Sequence, residues 1–132
     1  MKRWNGWGDD KNDLDFKLSE AAQGFLESLI GTSTALPDAT LEQVIAKVPE
    51  SRLPEHELVT LDAEERVRHA RGHSLPDWLA LRSGDFGVFP DGVAYPESSE
   101  QVQTLLKYAQ EHDIDVIPYG GGTSVVGHIN PE

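Results

Sequence analysis

Apolar side chains recur every three or four residues through the front of this chain, which is the spacing of one face of an α-helix. Ser19 can cap such a helix and Gly31 can end it, so the pattern predicts a helix from Ser19 to Ile30. Thr40-Leu-Glu-Gln43 has the order of a capping box and predicts a second helix. The apolar stripes are Leu18, Ala22, Phe25, Leu26 and Leu29 in the first helix, and Leu41, Val44, Ile45 and Val48 in the second.

Two shorter helices are predicted next, one from Asp62 to about Ala70 and one from Leu75 to Arg82. A linker bracketed by prolines precedes them and runs from Pro49 to about Leu61. At the start of the chain, an irregular arm is expected to pack aromatic side chains against a larger body, because disordered segments are poor in aromatic residues. Residues 1–90 are therefore predicted to form a helical N-terminal region with an aromatic arm. The aromatic residues of the arm are Trp4, Trp7 and Phe16.

The pattern changes from Asp91 onward. Val93-Ala-Tyr95 predicts a short strand, and Ser98-Ser-Glu-Gln101 predicts a capped helix that ends at about His112. The β-branched run over Asp115 to Pro118 predicts a second strand, so residues 91–132 are expected to form a right-handed parallel βαβ unit of an α/β domain. Because two parallel strands leave both sheet edges open, we expect the chain to be a fragment of a longer protein. The apolar face of the intervening helix is Val102, Leu105, Leu106 and Ala109.

Three consecutive glycines, Gly120 to Gly122, follow the second predicted strand. Glycine has no Cβ and accepts positive φ, so successive N–H groups can turn toward one ligand, while Thr123 and Ser124 add two hydroxyl donors. Such a cluster suits a phosphate or pyrophosphate; the alternative is a mobile glycine turn. Neither standard nucleotide loop fits, because no lysine follows the glycines and Val125 occupies the third glycine position of Gly-x-Gly-x-x-Gly.

The composition and charge of the chain limit the kinds of protein that it can be. A chain of 132 residues with 38% apolar content has room for one modest domain with a core. It has no cysteine and no apolar run near the roughly 20 residues that span a bilayer, so we expect a cytoplasmic protein without a transmembrane segment. A formal net charge of −12 argues against nucleic-acid binding. The sequence leaves open whether the protein associates with a membrane and whether it forms a homodimer.

Other candidate sites have less support in the sequence. His69 and His73 have the spacing of two metal ligands on one helix face, but a glycine interrupts the helix and two arginines add positive charge, so we predict no metal there. His128 follows the glycines and is expected at the surface rather than against a ligand. An aspartate cluster near the start lacks the spacing and terminal glutamate of an EF-hand. Its members are Asp9, Asp10, Asp13 and Asp15.

The run Pro118-Tyr-Gly-Gly-Gly-Thr-Ser-Val-Val-Gly127, preceded by Pro90-Asp-Gly-Val-Ala-Tyr-Pro96, resembles the first part of a known flavin domain. That domain is the FAD-binding domain of the vanillyl-alcohol-oxidase/p-cresol-methylhydroxylase (PCMH) superfamily. Trp4-Asn-Gly-Trp-Gly8 and Arg68-His-Ala-Arg-Gly-His-Ser74 are similar to alkyldihydroxyacetonephosphate synthase-like members of that superfamily. Residues 62–131 carry most of the resemblance.

The resemblance implies that the bound cofactor is FAD and that the glycine-rich run lies along its pyrophosphate with backbone N–H groups as donors. Some relatives attach the flavin through a histidine, and Thr123 takes that position here, so FAD is expected to be non-covalent. Catalytic residues are expected beyond Glu132, and none is assigned within this chain. The cofactor-binding residues are predicted to be Pro118, Tyr119, Gly120, Gly121, Gly122, Thr123 and Ser124.

For the full-length parent, the resemblance implies exchange of the acyl group of acyl-dihydroxyacetone phosphate for a long-chain alcohol, an ether-lipid type of chemistry on a small lipid-like substrate. The alternative is an FAD-dependent D-2-hydroxyacid dehydrogenase that acts on D-lactate or glycolate. A third hypothesis is a non-enzymatic acidic interaction module with an incidental glycine loop. The chain alone is expected to bind FAD weakly or not at all and to be inactive, because one loop covers a small share of a large cofactor.

Overall fold

The computed structural model describes residues 3–6, 8–9, 18–34 and 37–132. Trp7, Phe16 and three of the four clustered aspartates lie outside the described residues. Within these ranges the chain is mostly helical, with one small sheet. The helices are α1 (Glu20–Ile30), α2 (Leu41–Ile45), α3 (Ala63–Arg68), α4 (Leu75–Ser83) and α5 (Ser99–Glu111), and the strands are β1 (Val59–Thr60) and β2 (Val93–Ala94).

The predicted helices form, and their starts are capped as the sequence indicates. At each start, a side-chain oxygen accepts a hydrogen bond from the N–H three residues later, which satisfies one of the donors that a helix leaves unpaired. Gly84 ends α4 at a φ of 71°, and a Cβ there would lie 2.6 Å from the Cβ of Ala39, so this end requires glycine. The capping residues are Ser19, Thr40, Asp62, Ser74 and Ser98.

The strand pairing differs from the predicted parallel βαβ unit. β2 pairs antiparallel with β1, with Val59 opposite Ala94. β1 lies in the segment predicted as a linker, where two residues are too few for alternation to indicate a strand. Residues 115–118, predicted as the second strand, form none: a strand takes its hydrogen bonds from a neighbour, and none lies beside them in the described chain. Val116 in this segment is 55% exposed.

The core of the helical region is a cluster of buried side chains onto which α2 packs. Val44 of α2 is fully buried, and the rest of its predicted stripe packs against the cluster, as predicted. Trp4 stacks on Phe86 with ring centroids 6.5 Å apart, which confirms the predicted packing of the aromatic arm at this residue. The buried cluster is Val44, Val67, Ala70, Leu81, Phe86 and Phe89.

The predicted apolar faces of α1 and α5 are largely exposed. Among the described residues, α1 has no buried side chain, and Phe25 and Leu29 are each 65% exposed. On α5, Ala109 is buried but Leu106 is 54% exposed. Helical spacing identifies these faces without indicating what covers them. None of the helices in the described ranges has the length and apolarity needed to cross a membrane.

Arg66 joins the helical region to the segment that leads into β2. Its Nε donates to the carbonyl of Pro90 at 2.7 Å, and its Nη1 donates to that of Pro49 at 2.8 Å. Burial lowers the pKa of this guanidinium, and the nearby charge of Asp91 opposes the shift. Asp91 in turn accepts from Nε of Arg52 at 2.9 Å. These bonds hold the start of β2 against α3 and so orient the chain that follows it.

Candidate functional site

The residues predicted to bind the cofactor form one loop near the end of the chain, which we call the glycine loop (residues 118–124). Most of its length is accessible, since Pro118, Gly120, Gly121 and Thr123 are exposed. Gly122 is the buried point of the loop. The structure thus brings the predicted residues together on one surface that a ligand can reach.

The three glycines have different roles. Gly122 has a φ of 69°, and a Cβ there would lie 2.1 Å from the hydroxyl of Tyr119, so the loop itself requires glycine at this position. A Cβ on Gly120 would meet no heavy atom within 4 Å, and one on Gly121 would make only an ordinary contact with Thr123 at 3.9 Å. The space beside the first two glycines is therefore open and can admit a ligand close to the backbone.

The glycine loop also offers unused donors. Within the described part of the chain, the amides of Gly120, Gly122 and Thr123 have no hydrogen-bond acceptor. Free N–H groups in a glycine-rich turn attract an anion, because each amide contributes a partial positive charge. The loop therefore offers donors of the kind that a phosphate or pyrophosphate accepts hydrogen bonds from.

The loop is held at both ends by residues 68–77, which we call the clasp segment. At one end, the hydroxyl of Tyr119 donates to the carbonyl of Arg68 at 3.2 Å. At the other, the N–H of His73 donates to the carbonyl of Ser124 at 2.6 Å. A Cβ on Gly72 would lie 2.5 Å from that same carbonyl, so the approach of the two backbones depends on glycine at this position.

A buried carboxylate completes the clasp. Asp77 is 1% exposed, and one of its oxygens accepts from the N–H and hydroxyl of Ser74 at 3.0 and 2.5 Å. The other oxygen accepts from Nδ2 of Asn130 at 2.7 Å, while Oδ1 of Asn130 accepts from the N–H of Gly72 at 3.1 Å. Asn130 therefore fixes the chain just beyond the glycine loop to the clasp segment.

The electrostatics of Asp77 favour its charged form. Burial by itself raises the pKa of this carboxyl. The hydrogen bonds from Ser74 and Asn130, together with the charge of Arg71, outweigh burial and hold the pKa below its ordinary value of 3.8. Asp77 is therefore a carboxylate at neutral pH and a strong acceptor for its partners.

A cleft of about 510 Å³ lies between α3, the clasp segment and the first part of the glycine loop. Its volume is in the range of small-molecule sites, about 300–1,000 Å³. Gly120 and Tyr119 form part of its wall, and cationic side chains of the clasp segment line it as well. The charged residues that line the cleft are Arg3, Arg68 and Arg71 together with Asp62, Glu64 and Glu65.

His69 packs inside this cleft between two tyrosine rings. Its ring lies 5.6 Å from that of Tyr95 and 4.7 Å from that of Tyr119, measured between centroids. Its Nδ1 is 2.7 Å from the carbonyl of Glu65, and its Nε2 is 3.2 Å from the hydroxyl of Tyr95. Both ring nitrogens thus have a polar neighbour within the protein.

Tyr95 shares the same network, since its hydroxyl donates to the carboxylate of Glu65. Partial burial of the hydroxyl and this carboxylate raise the pKa of Tyr95 to about 12. Burial likewise raises the pKa of Tyr119. Both phenols therefore stay protonated at neutral pH and act as hydrogen-bond donors to the surrounding acceptors. In the described residues there is no group of three or more His, Cys, Asp or Glu placed to hold a metal ion.

His128 is exposed, as the sequence predicts. Its Nδ1 lies 3.1 Å from the hydroxyl of Ser124, so the last side chain of the glycine loop already has a partner within the protein. Thr123 is exposed and no such contact engages its hydroxyl among the described residues. Of the two hydroxyls in the predicted site, that of Thr123 is the one available to a ligand.

Sequence reasoning missed the clasp. The run Arg68 to Ser74 stood out as a marker of resemblance and for the spacing of His69 and His73, whereas Asp77 and Asn130 did not stand out. The available signal was Gly72, because a glycine between two charged residues, where a helix has already ended, indicates a close backbone approach.

Comparisons with known proteins agree with this geometry. Residues 90–131 match the family model of an FAD binding domain. An alkyldihydroxyacetonephosphate synthase of Caenorhabditis elegans is 27% identical over 97% of this chain and 26% of its own length. The mitochondrial D-lactate dehydrogenase (cytochrome) of Arabidopsis thaliana is 46% identical over 30% of this chain and 7% of its own length. A solved structure of an alkyldihydroxyacetonephosphate synthase matches with a TM-score of 0.74 and 25% identity, over 98% of this chain and 31% of that chain.

These matches confirm the resemblance to FAD-linked enzymes and to alkyldihydroxyacetonephosphate synthase-like proteins. They also confirm FAD as the cofactor of the domain to which residues 90–131 contribute. The fold class is confirmed as a helical region followed by an incomplete FAD-binding domain, apart from the strand pairing described above. The chain spans about a quarter of the length of the C. elegans relative.

The substitution Asp77→Asn tests the contribution of the clasp to stability. An amide cannot accept every hydrogen bond that the carboxylate accepts, so we expect the free energy of unfolding at neutral pH to fall by about 1–3 kcal/mol. Because folding lowers the pKa of Asp77, this stabilisation is present above the ordinary pKa of 3.8 and is lost as pH falls through the folded-state pKa.

Urea unfolding followed by tryptophan fluorescence, at neutral pH and in acid, measures the effect. Asp85→Asn is the matched control, because Asp85 is exposed just after α4. Equal stability of Asp77→Asn and the wild type at neutral pH would contradict the role given to Asp77.

Proposed function

We propose that this chain is the N-terminal, pyrophosphate-contacting part of an FAD-dependent enzyme of the alkyldihydroxyacetonephosphate synthase type. The observation that supports the proposal most directly is the glycine loop itself. It combines open space beside Gly120 and Gly121 with unpaired amides, and the clasp segment holds it in place. The full-length enzyme would exchange the acyl group of acyl-dihydroxyacetone phosphate for a long-chain alcohol.

In this proposal, the residues of the chain bind and orient the cofactor. The amides of Gly120, Gly122 and Thr123 donate to the pyrophosphate, and the missing side chains of the first two glycines allow it to approach the backbone. When bound, the flavin ring would supply the reactive centre for this exchange, which involves no net oxidation or reduction. Thr123 offers a hydroxyl and no ring nitrogen for attachment, so the cofactor would be bound without a covalent bond.

The proposal also divides the chain into two parts. We propose a helical region over residues 1–90 and the opening of the FAD-binding domain over residues 91–132. Hydrogen bonds from His73 to Ser124 and from Asn130 to Asp77 cross that boundary. The helical region would therefore act as the support of the glycine loop rather than as an independent module. Catalytic groups and the ligands of the substrate would come from residues after Glu132.

A second candidate is an FAD-dependent D-2-hydroxyacid dehydrogenase acting on D-lactate or glycolate. The observation in its favour is the 46% identity of one segment, 30% of this chain, to a D-lactate dehydrogenase. Against it, similarity to the synthase extends over 97% of the chain and includes the helical region. The third hypothesis, an acidic interaction module without a cofactor, is disfavoured by the open, donor-rich form of the glycine loop.

The visible absorbance of the full-length protein separates these candidates. We expect a flavin spectrum that anaerobic addition of D-lactate leaves unchanged, and that acyl-dihydroxyacetone phosphate perturbs. A spectrum that D-lactate bleaches persistently would favour the dehydrogenase. A colourless protein that takes up no added FAD would contradict the proposed function.

The substitution Gly121→Val in the full-length protein tests the position of the pyrophosphate. A side chain at Gly121 would make only an ordinary contact within the protein but would occupy the space proposed for the ligand. We expect FAD affinity to fall about 10- to 100-fold, the loss of one or two hydrogen bonds to a charged group, while the helical signal stays unchanged.

Gly24→Val is the control for the added side chain, because a Cβ on Gly24 in α1 also meets no heavy atom within 4 Å. FAD content is measured from absorbance after gel filtration, and helicity by circular dichroism. Full FAD content in Gly121→Val would remove the glycine loop from the proposed binding site.

A further inference from the structure

Arg71, in the middle of the clasp segment, has a guanidinium without a hydrogen-bond partner among the described residues. Its Nε is fully buried and unpaired. Arg66 also has one buried, unpaired nitrogen, Nη2, but its Nε and Nη1 donate to the carbonyls of two prolines. Arg68 donates from Nε to Glu64 at 2.8 Å. An arginine held against the protein with an unpaired donor is unfavourable unless something else provides the acceptor.

Nearby acceptors within the protein are already used. Asp77 attracts Arg71 electrostatically, but both oxygens of its carboxylate accept hydrogen bonds from Ser74 and Asn130. Glu65 accepts from the hydroxyl of Tyr95. The positive charge of Arg71 therefore has no acceptor of its own on the clasp segment or on α3.

The position of Arg71 is confined by the backbone around it. Its Nη2 lies against Gly87, where an added Cβ would be 3.5 Å away, and Gly87 has a φ of 69°. The side chain lines the same cleft as Gly120 of the glycine loop and as His73. An anion in this cleft would thus have access to Arg71 and to the unpaired amide of Gly120.

We propose that Arg71 binds a phosphate oxygen in this cleft, as a side-chain ligand that complements the backbone donors of the glycine loop. A guanidinium suits this role, because its planar N–H groups bind phosphate oxygens with defined geometry. The inference rests on the proposed function. The phosphate belongs either to the pyrophosphate of FAD or to a phosphorylated second ligand, and the two sources have separate tests.

The variant Arg71→Met keeps the aliphatic stem and removes the charge, and Arg71→Lys restores a charge without the Nε–H donor. In the full-length protein, if the pyrophosphate is the partner, Arg71→Met lowers FAD affinity about 10- to 100-fold and leaves the affinity for riboflavin, which has no phosphate, unchanged. If a second ligand is the partner, FAD affinity is unchanged and the affinity for dihydroxyacetone phosphate, followed by flavin absorbance, falls by a similar factor. Arg71→Lys recovers part of either loss.

A structural arginine would behave differently in the flavin-free protein. Removing an unpaired cation should leave the urea midpoint unchanged or raise it, whereas removing a structural partner should lower it. Arg82→Met is the matched control, because Arg82 is also partly buried but is paired with Asp38 at 2.5 Å. Arg82→Met should lower the urea midpoint and leave both ligand affinities unchanged.

The outcomes distinguish a failure of the proposed function from a failure of the role proposed for Arg71. A wild-type protein that binds no FAD would contradict the proposed function itself. A wild-type protein that binds FAD, with Arg71→Met unchanged toward FAD and toward dihydroxyacetone phosphate, would overturn the role of Arg71 alone. A lowered urea midpoint with both affinities intact would also overturn it and assign Arg71 to the fold.

Discussion

The contact on which the site depends is the hydrogen bond from the N–H of His73 to the carbonyl of Ser124, at 2.6 Å. It joins a segment that ends a helix to one end of the loop, and the bond from Tyr119 to Arg68 holds the other end. The contact exists because Gly72 lacks a side chain; a Cβ there would lie 2.5 Å from the same carbonyl. Asp77 and Asn130 stabilise the arrangement from the buried side. The glycine loop thus takes its form from a neighbouring segment, while the amides of Gly120, Gly122 and Thr123 have no acceptor in the described part of the chain.

In this arrangement, the glycines that the loop's own packing requires differ from those that would lie beside a ligand. Gly72 and Gly122 are required by the protein's own packing, whereas Gly120 and Gly121 face open space. The charged groups around the cleft are mostly paired within the protein. The chain has a formal net charge of −12, and three arginines and three carboxylates line the cleft beside the loop. Of the carboxylates, Asp62 caps α3, Glu64 pairs with Arg68, and Glu65 accepts from Tyr95. A site for an anion can therefore exist on an acidic protein, because local donors act at short range while distant surface charges are screened.

Structural features that depend only on residues close in the sequence could be predicted well. The capping residues satisfy donors within their own helix, so Ser19, Thr40 and Ser74 could be assigned from the chain alone. Features that depend on distant partners could not. The segment at 115–118 has the residues of a strand but no neighbour here, and β1 was too short to predict. The glycine loop was found from its composition, but the roles of Asp77 and Asn130 depend on a contact between residues 53 positions apart.

Amide hydrogen exchange tests most directly whether the clasp forms the loop before the ligand binds. In the flavin-free, full-length protein, we expect the His73 amide to be protected already and to change little when FAD is added. The amides of Gly120, Gly122 and Thr123 should exchange rapidly without FAD and become protected with it. If His73 were unprotected until FAD is added, the ligand rather than the clasp would shape the loop. Glycine-loop amides that exchange equally with and without FAD would contradict their role as its donors.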